Sequence, residues 1–98
     1  MTVNQKKSEN KLTYAIEGRI DTKTAPELEK ALDGALEGIT ELVFDFAEVS
    51  YISSAGLRVL LKAQKQMNKQ GKMTISHANE DIMEIFEVTG FAEILTIE

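Results

Sequence analysis

Two adjacent hydroxyls, Ser53 and Ser54, stand in the stretch Val49-Ser50-Tyr51-Ile52-Ser53-Ser54-Ala55-Gly56-Leu57-Arg58-Val59-Leu60-Leu61, where a strand-like pattern gives way to a helical one. Downstream, Leu57, Leu60, Leu61, Gln64 and Met67 recur near helical spacing, with one polar exception. Ser, Thr, Asp and Asn favour a helix N-cap because their side-chain oxygen accepts a bond from a free backbone N–H. Ser53 or Ser54 is therefore predicted to open a helix, its hydroxyl near the positive end of the helix dipole. Two chemistries fit such a hydroxyl. It caps the helix and does nothing else, or it accepts a phosphoryl group, whose negative charge a helix N-terminus tolerates.

Other reactive chemistry is sparse. His77 is the only histidine and there is no cysteine, so a zinc site would need carboxylates for its other ligands, while disulfides and thiolate nucleophiles are excluded. Asp45 interrupts the apolar run Leu42-Val43-Phe44-Asp45-Phe46. No acidic or imidazole partner lies close to it in sequence, which favours a carboxylate satisfied by nearby backbone over a catalytic one. No glycine pattern matches a P-loop or a dinucleotide fingerprint, and Ser54-Ala55-Gly56 lacks the Gly-x-Ser-x-Gly turn of hydrolases. Lys62, Lys65, Lys69 and Lys72 read as a solvated helix face, and Met67, Met73 and Met83 as gap-fillers in or beside the core. The expectation is a non-enzyme with no cofactor and no metal.

Eleven Lys and Arg face 16 Asp and Glu, a net charge of −5. That opposes general nucleic-acid binding, which needs a basic face to neutralise phosphates, and it favours a partner with a basic docking face. A chain of 98 residues supports one core, so residues 1–98 are expected to form a single domain. No apolar run approaches the roughly 20 residues that span a bilayer, and Met1 to Lys7 lacks the apolar segment of a signal peptide. With no cysteine to suit an oxidising compartment, the expected location is the cytoplasm, away from membranes.

The elements that would position Ser53 and Ser54 follow from periodicity. Val3 to Lys7 suits an edge strand and Ser8-Glu9-Asn10 a turn. Lys11 to Glu17 alternates as a half-buried strand, ended by Gly18. Thr24 and Glu27 have capping-box spacing with Pro26 in the first turn. Ala25, Leu28, Leu32, Ala35, Leu36 and Ile39 form one helical stripe, stopped near Gly38. Leu42 to Phe46 reads as a central strand covered on both faces. After the serine-headed helix, Asn68 to Gly71 supplies a C-terminal cap. Lys72 to His77 forms another strand. Asn79 or Glu80 starts a last helix with Ile82, Ile85 and Phe86 inward and Gly90 at its end; Phe91 folds back, and Ile94 to Ile97 closes as a short strand or a helical turn. Alternating strands and helices imply parallel pairing, and the first two strands a hairpin, hence a mixed α/β sheet. The turn carrying Asp21, Thr22 and Lys23 is then expected beside Ser53 and Ser54, at the sheet edge where open α/β folds place their sites.

Tyr51-Ile52-Ser53-Ser54-Ala55-Gly56-Leu57, preceded by Leu42-Val43-Phe44-Asp45-Phe46, resembles the central motif of the anti-sigma factor antagonists, which are single STAS domains. Gly18-Arg19-Ile20-Asp21 followed by Thr24-Ala25-Pro26-Glu27-Leu28 is similar to that family's second strand and first helix. The resemblance covers essentially the whole chain. It implies a compact mixed sheet of four to five strands with three to four helices.

It also implies a role. Ser54 matches the serine phosphorylated by a cognate anti-sigma factor kinase, Asp21 an acidic position near it, and Gly56 and Leu57 the Gly-Leu that follows. Asp21, Thr22, Ser53, Ser54, Ala55, Gly56, Leu57 and Arg58 are the implied partner-binding residues. The implied partners are an anti-sigma factor that is itself a serine kinase, and a phosphoserine phosphatase; the implied state is a monomer or weak dimer. One position departs. Family members commonly carry Asp immediately before the phosphorylated serine, where this chain has Ser53, which leaves Ser53 as a second candidate acceptor. The alternative keeps the fold without the switch: a STAS scaffold or accessory domain of a transporter or signalling complex, with Ser54 a helix cap only. A nucleotide-binding or hydrolytic enzyme ranks below both, for want of a base, metal ligand or phosphate loop.

Overall fold

The computed structural model describes residues 1–98. Its polar opening strand β1 (Thr2–Ser8) turns back through Glu9, at a left-handed φ of 56°, and pairs antiparallel with β2 (Lys11–Ile20). From there every pairing is parallel: β2 with β3 (Glu41–Ile52), β3 with β4 (Lys72–Ser76), and β4 with the two-residue β5 (Thr96–Ile97). The sheet has five strands in the order β1-β2-β3-β4-β5. Three helices complete it: α1 (Ala25–Leu32), α2 (Ser54–Gln70) and α3 (Glu80–Thr89). None is long and apolar enough to cross a membrane.

The expected end of the second strand at Gly18 is corrected. β2 continues to Ile20, and the pairing with β3 slips between Ala15 and Glu17 and again between Gly18 and Arg19. At both slips the extra residue lies on β3, and Gly18, at φ 98°, takes a left-handed backbone beside the second of them instead of ending the strand. Both long strands therefore run past the expected limits and finish together, Ile20 opposite Ile52.

β3 is central, as expected, but it is not covered on both faces. Leu42, Phe44 and Phe46 are buried while Glu41, Val43 and Asp45 are half-buried, the alternation of a sheet with one packed face. All three helices lie on the packed side. The Tyr14 hydroxyl donates to the Ala31 carbonyl of α1 at 2.8 Å. Tyr14 stacks on Phe44 at 5.7 Å, and Phe46 meets Phe86 of α3 at 6.3 Å. Gly56 of α2 sits against Ile20 and Ile52. The result is two layers around one apolar cluster.

The first helix is shorter than its stripe suggested. It stops at Leu32, and Gly34 (φ 73°) and Gly38 (φ 78°) each turn the chain left-handed. Leu36 and Ile39 are nevertheless buried, delivered from turns. Their carbonyls both accept from the Gln70 side-chain amide, at 2.6 Å each, and the Leu36 carbonyl also accepts from Ile39 N–H at 3.0 Å, so the backbone left by the helix is paired. The expected capping box is absent as well. Thr24 is the N-cap residue with helical dihedrals and no capping side-chain bond. Its hydroxyl instead accepts from Asp21 N–H and donates to the Arg19 carbonyl, both at 2.8 Å.

The C-terminal half follows expectation more closely. Gly71 caps α2, and Asn79 caps α3 by accepting from Ile82 N–H at 2.9 Å. Gly90, at φ 82°, ends α3. Ile82 and Phe86 are buried, whereas Ile85 is only half-buried. Phe91 folds back in a short 3-10 turn, Phe91–Glu93, before β5 closes the sheet.

Candidate functional site

Because β2 and β3 are parallel and end together, the segments that follow them leave from one edge of the sheet. Ser53 N–H donates to the Ile20 carbonyl at 2.8 Å. That bond fastens the start of α2 to the turn holding Asp21, Thr22 and Lys23, the neighbourhood the topology predicted.

Asp21 is spent on its own turn. Its Oδ1 accepts from Lys23 N–H and Thr24 N–H, each at 3.0 Å, and shares the single Thr24 hydroxyl proton, at 3.2 Å, with the Arg19 carbonyl. Arg19 Nε lies 3.6 Å from Oδ2. The Thr24 N–H bond, above all, holds the carboxyl below the usual aspartate range; desolvation opposes it, and the Lys23 bond, the Thr24 hydroxyl and Arg19 add to the lowering. The Arg19 guanidinium also sits 4.4 Å over the Tyr51 ring, a cation–π contact across neighbouring strands. Nothing in the spacing of Arg19 and Tyr51 signals this pair, which depends on the slipped register.

The two serines separate in role. Ser53 is the N-cap of α2, half-buried, its Oγ accepting from Gly56 N–H at 3.3 Å. Ser54 is the first helical residue and is exposed, and its hydroxyl has no hydrogen-bond partner within the domain. No acidic residue occupies the first turn of α2. The helix therefore offers an unshielded positive pole beside a free hydroxyl.

Of the remaining residues expected at a docking surface, Thr22 and Arg58 are exposed and Ala55 is half-buried. Gly56 and Leu57, expected there too, are buried beneath the edge and not exposed on it. A groove of about 540 Å³ runs between α1 and α2 from this edge, lined among others by Thr22, Ala55, Arg58, Val59 and Lys62. Its existence depends on how α1 lies on α2, which no local pattern specifies.

Register also brings together a pair that sequence distance had kept apart. His77 Nδ1 lies 3.1 Å from Asp45 Oδ1, which also accepts from Ala47 N–H at 3.0 Å. The Asp45 carboxylate is thus satisfied locally, as expected, with an exposed imidazole added. No nucleophile is bonded to the pair, and no three His, Cys, Asp or Glu side chains converge as a metal site.

The chain matches the family model of the STAS domain over residues 2–98. It is 32% identical over 98 residues to the anti-sigma-B factor antagonist of Bacillus subtilis (strain 168), covering 99% of this chain and 90% of that protein. Its fold superposes on an anti-sigma factor antagonist from Mycobacterium paratuberculosis with a TM-score of 0.87 at 22% identity, covering 98% and 83% of the two chains. It also superposes on the phosphorylated form of the Bacillus cell fate determinant SpoIIAA, with a TM-score of 0.77 at 12% identity, covering 99% and 91%. These two structural likenesses concern the fold.

Proposed function

The chain belongs to the STAS domain family, and from that premise we propose that it is an anti-sigma factor antagonist: unmodified, it binds an anti-sigma factor through the edge around Ser54, and phosphorylation of Ser54 ends the contact. The named role of the Bacillus subtilis relative supports the first half. The second half rests on one observation above all, the exposed and unpartnered hydroxyl of Ser54 beside the engaged hydroxyl of Ser53. A fold neighbour that exists in a phosphorylated form is consistent with it.

The partner kinase supplies the chemistry. The Ser54 Oγ–P bond forms as the bond from the γ-phosphorus of ATP to its bridging oxygen breaks; ADP departs and the hydroxyl proton passes to a base on the kinase. A phosphoserine phosphatase reverses the state by hydrolysis to serine and inorganic phosphate. Such partners place the switch in the bacterial cytoplasm, apart from nucleic acid and membrane.

Magnitudes decide how the switch acts. Phosphate adds about −1.5 to −2 charges at pH 7. At a helix N-terminus this is favourable by roughly 0.3–1 kcal/mol, so the domain keeps its fold. Burying the same charge against a partner without a matching cation costs several kcal/mol, and about 3 kcal/mol already weakens binding more than a hundredfold. The interface effect wins, and the switch blocks contact without unfolding the domain. Ser53, where the family commonly has Asp, retains the cap but contributes no charge to the helix start.

Incubation with the cognate kinase and ATP, followed by phosphosite mapping, tests the reading. It expects modification at Ser54, and a Ser54→Ala variant that folds, binds and cannot be switched off. Modification confined to other residues overturns it.

A further inference from the structure

We infer that Arg58 is a built-in counter-ion for a phosphate on Ser54, held one helical turn away and left unpaired in the unmodified domain. This rests on the modification site proposed above and concerns what the domain does once it carries the group.

Side chains on a helix lean toward its N-terminus, so residue i+4 lies over residue i. Arg58 does so: its Nε is 3.5 Å from the Ser54 carbonyl oxygen. Its side chain is exposed and forms no ion pair. Two other nearby cations are committed elsewhere, Arg19 to Asp21 and the Tyr51 ring, Lys62 to Glu29 at 3.3 Å; Lys23 is exposed and forms no ion pair, but it stands on the Asp21 turn and not on the helix face of Ser54. No carboxylate in the first turn of α2 competes for the guanidinium. The free cation and the free hydroxyl thus share one helix face.

A phosphoserine at 54 brings three strong acceptor oxygens within reach of a planar fork suited to bidentate phosphate binding. An anion four residues N-terminal to a cation is also the favoured order on a helix. Arg58 lines the groove between α1 and α2. Drawing it onto the phosphate removes a cation from that rim, so modification alters the docking edge twice: it adds charge at Ser54 and withdraws Arg58.

The test needs no kinase. Phosphoserine is installed at position 54 during translation, and the second ionisation of its phosphate is followed by phosphorus NMR in the otherwise unaltered chain and in Arg58→Gln, Arg58→Lys and Lys69→Gln backgrounds. Lys69, at the far end of α2, reports general charge alone. The midpoint is expected to rise by roughly 0.2–0.7 pH units in Arg58→Gln, the span of an exposed ion pair. Arg58→Lys should restore part of that shift, and Lys69→Gln should leave the midpoint in place. Equal midpoints with and without Arg58, or an equal rise from Lys69→Gln, overturn the inference. Because the group is installed directly, an Arg58-dependent shift stands even where a kinase fails to modify Ser54, and a kinase that does modify it does not rescue equal midpoints.

Discussion

Gly56 lies against Ile20 with no space for a side chain between them: a β-carbon at position 56 would stand 2.7 Å from Ile20 Cγ2 and 2.8 Å from Ile52 Cγ1. This close approach seats the start of α2 on the ends of β2 and β3 and so presents Ser54 at the edge. Gly56→Ala gains about 1 kcal/mol of helix propensity but incurs overpacking of about 1–3 kcal/mol. Urea denaturation is expected to show a net loss, together with altered amide shifts at Ser53 and Ser54. A variant as stable as the parent would show that the contact has slack.

Gly71 is a stricter case of the same physics. A β-carbon there would fall 2.6 Å from the Thr40 carbonyl carbon and would collide with its oxygen, and Lys72 N–H bonds that carbonyl at 3.0 Å. Backbone cannot swing aside as a side-chain tip can. Gly71→Ala is expected to cost more than Gly56→Ala in the same denaturation assay; the reverse order contradicts the packing described here.

Ser53 and Ser54 should respond oppositely to alanine. Ser53→Ala removes the cap on Gly56 N–H and is expected to cost about 1 kcal/mol. Ser54→Ala removes a hydroxyl with no partner in the domain and should leave the melting temperature near that of the parent. Ser53→Asp keeps a capping oxygen and adds a charge worth roughly 0.3–1 kcal/mol at the dipole. Equal losses from the two alanine variants would mean the roles of the serines are misassigned.

Much of this edge was legible before any coordinates. The strand-to-helix switch after Ile52 marked a helix start at the serines, and parallel pairing required the Asp21 turn to lie beside them. What stayed hidden was non-local. The slip after Gly18 adds a residue to β3 and brings Arg19 over Tyr51, yet slips in register leave no mark in local periodicity. Leu36 and Ile39 continued the stripe of α1 because both belong to the core, although turns at Gly34 and Gly38 carry them there. The run Leu42 to Phe46 read as covered on both faces because Val43 is apolar as well, although the helices pack on one side only. Thr24 and Glu27 had the spacing of a capping box, but Asp21 and Arg19 claimed the threonine hydroxyl.

Asp21 carries a pH dependence. Its lowered pKa means that the folded domain binds this proton less tightly than the unfolded chain does. The resulting stabilisation is complete above the ordinary aspartate value of about 3.9 and disappears as pH falls through the lowered folded value. Asp21→Asn resembles the protonated state. Its melting temperature should therefore lie below the parent's at neutral pH, and the gap should close in strong acid. A gap unchanged down to about pH 2 would assign the effect elsewhere.

Tyr14 behaves in the opposite sense. Burial pushes its phenol up, so the folded state holds the proton more tightly; that stabilisation is complete below the usual tyrosine value of about 10 and lost as pH rises through the raised one. Tyr14→Phe leaves the Ala31 carbonyl without its 2.8 Å donor. The expected cost is about 1 kcal/mol at neutral pH by thermal denaturation, and an unchanged melting temperature would argue that water replaces the phenol.

The central claim is that charge on one exposed hydroxyl breaks a protein contact while sparing the fold. Calorimetric titration of the cognate anti-sigma factor with unmodified domain and with domain phosphorylated at Ser54 measures it directly. The account predicts tight binding for the first and affinity at least about a hundredfold weaker for the second, with both forms folded by circular dichroism. Equal affinity for the two forms, or loss of binding accompanied by loss of the fold, would contradict it.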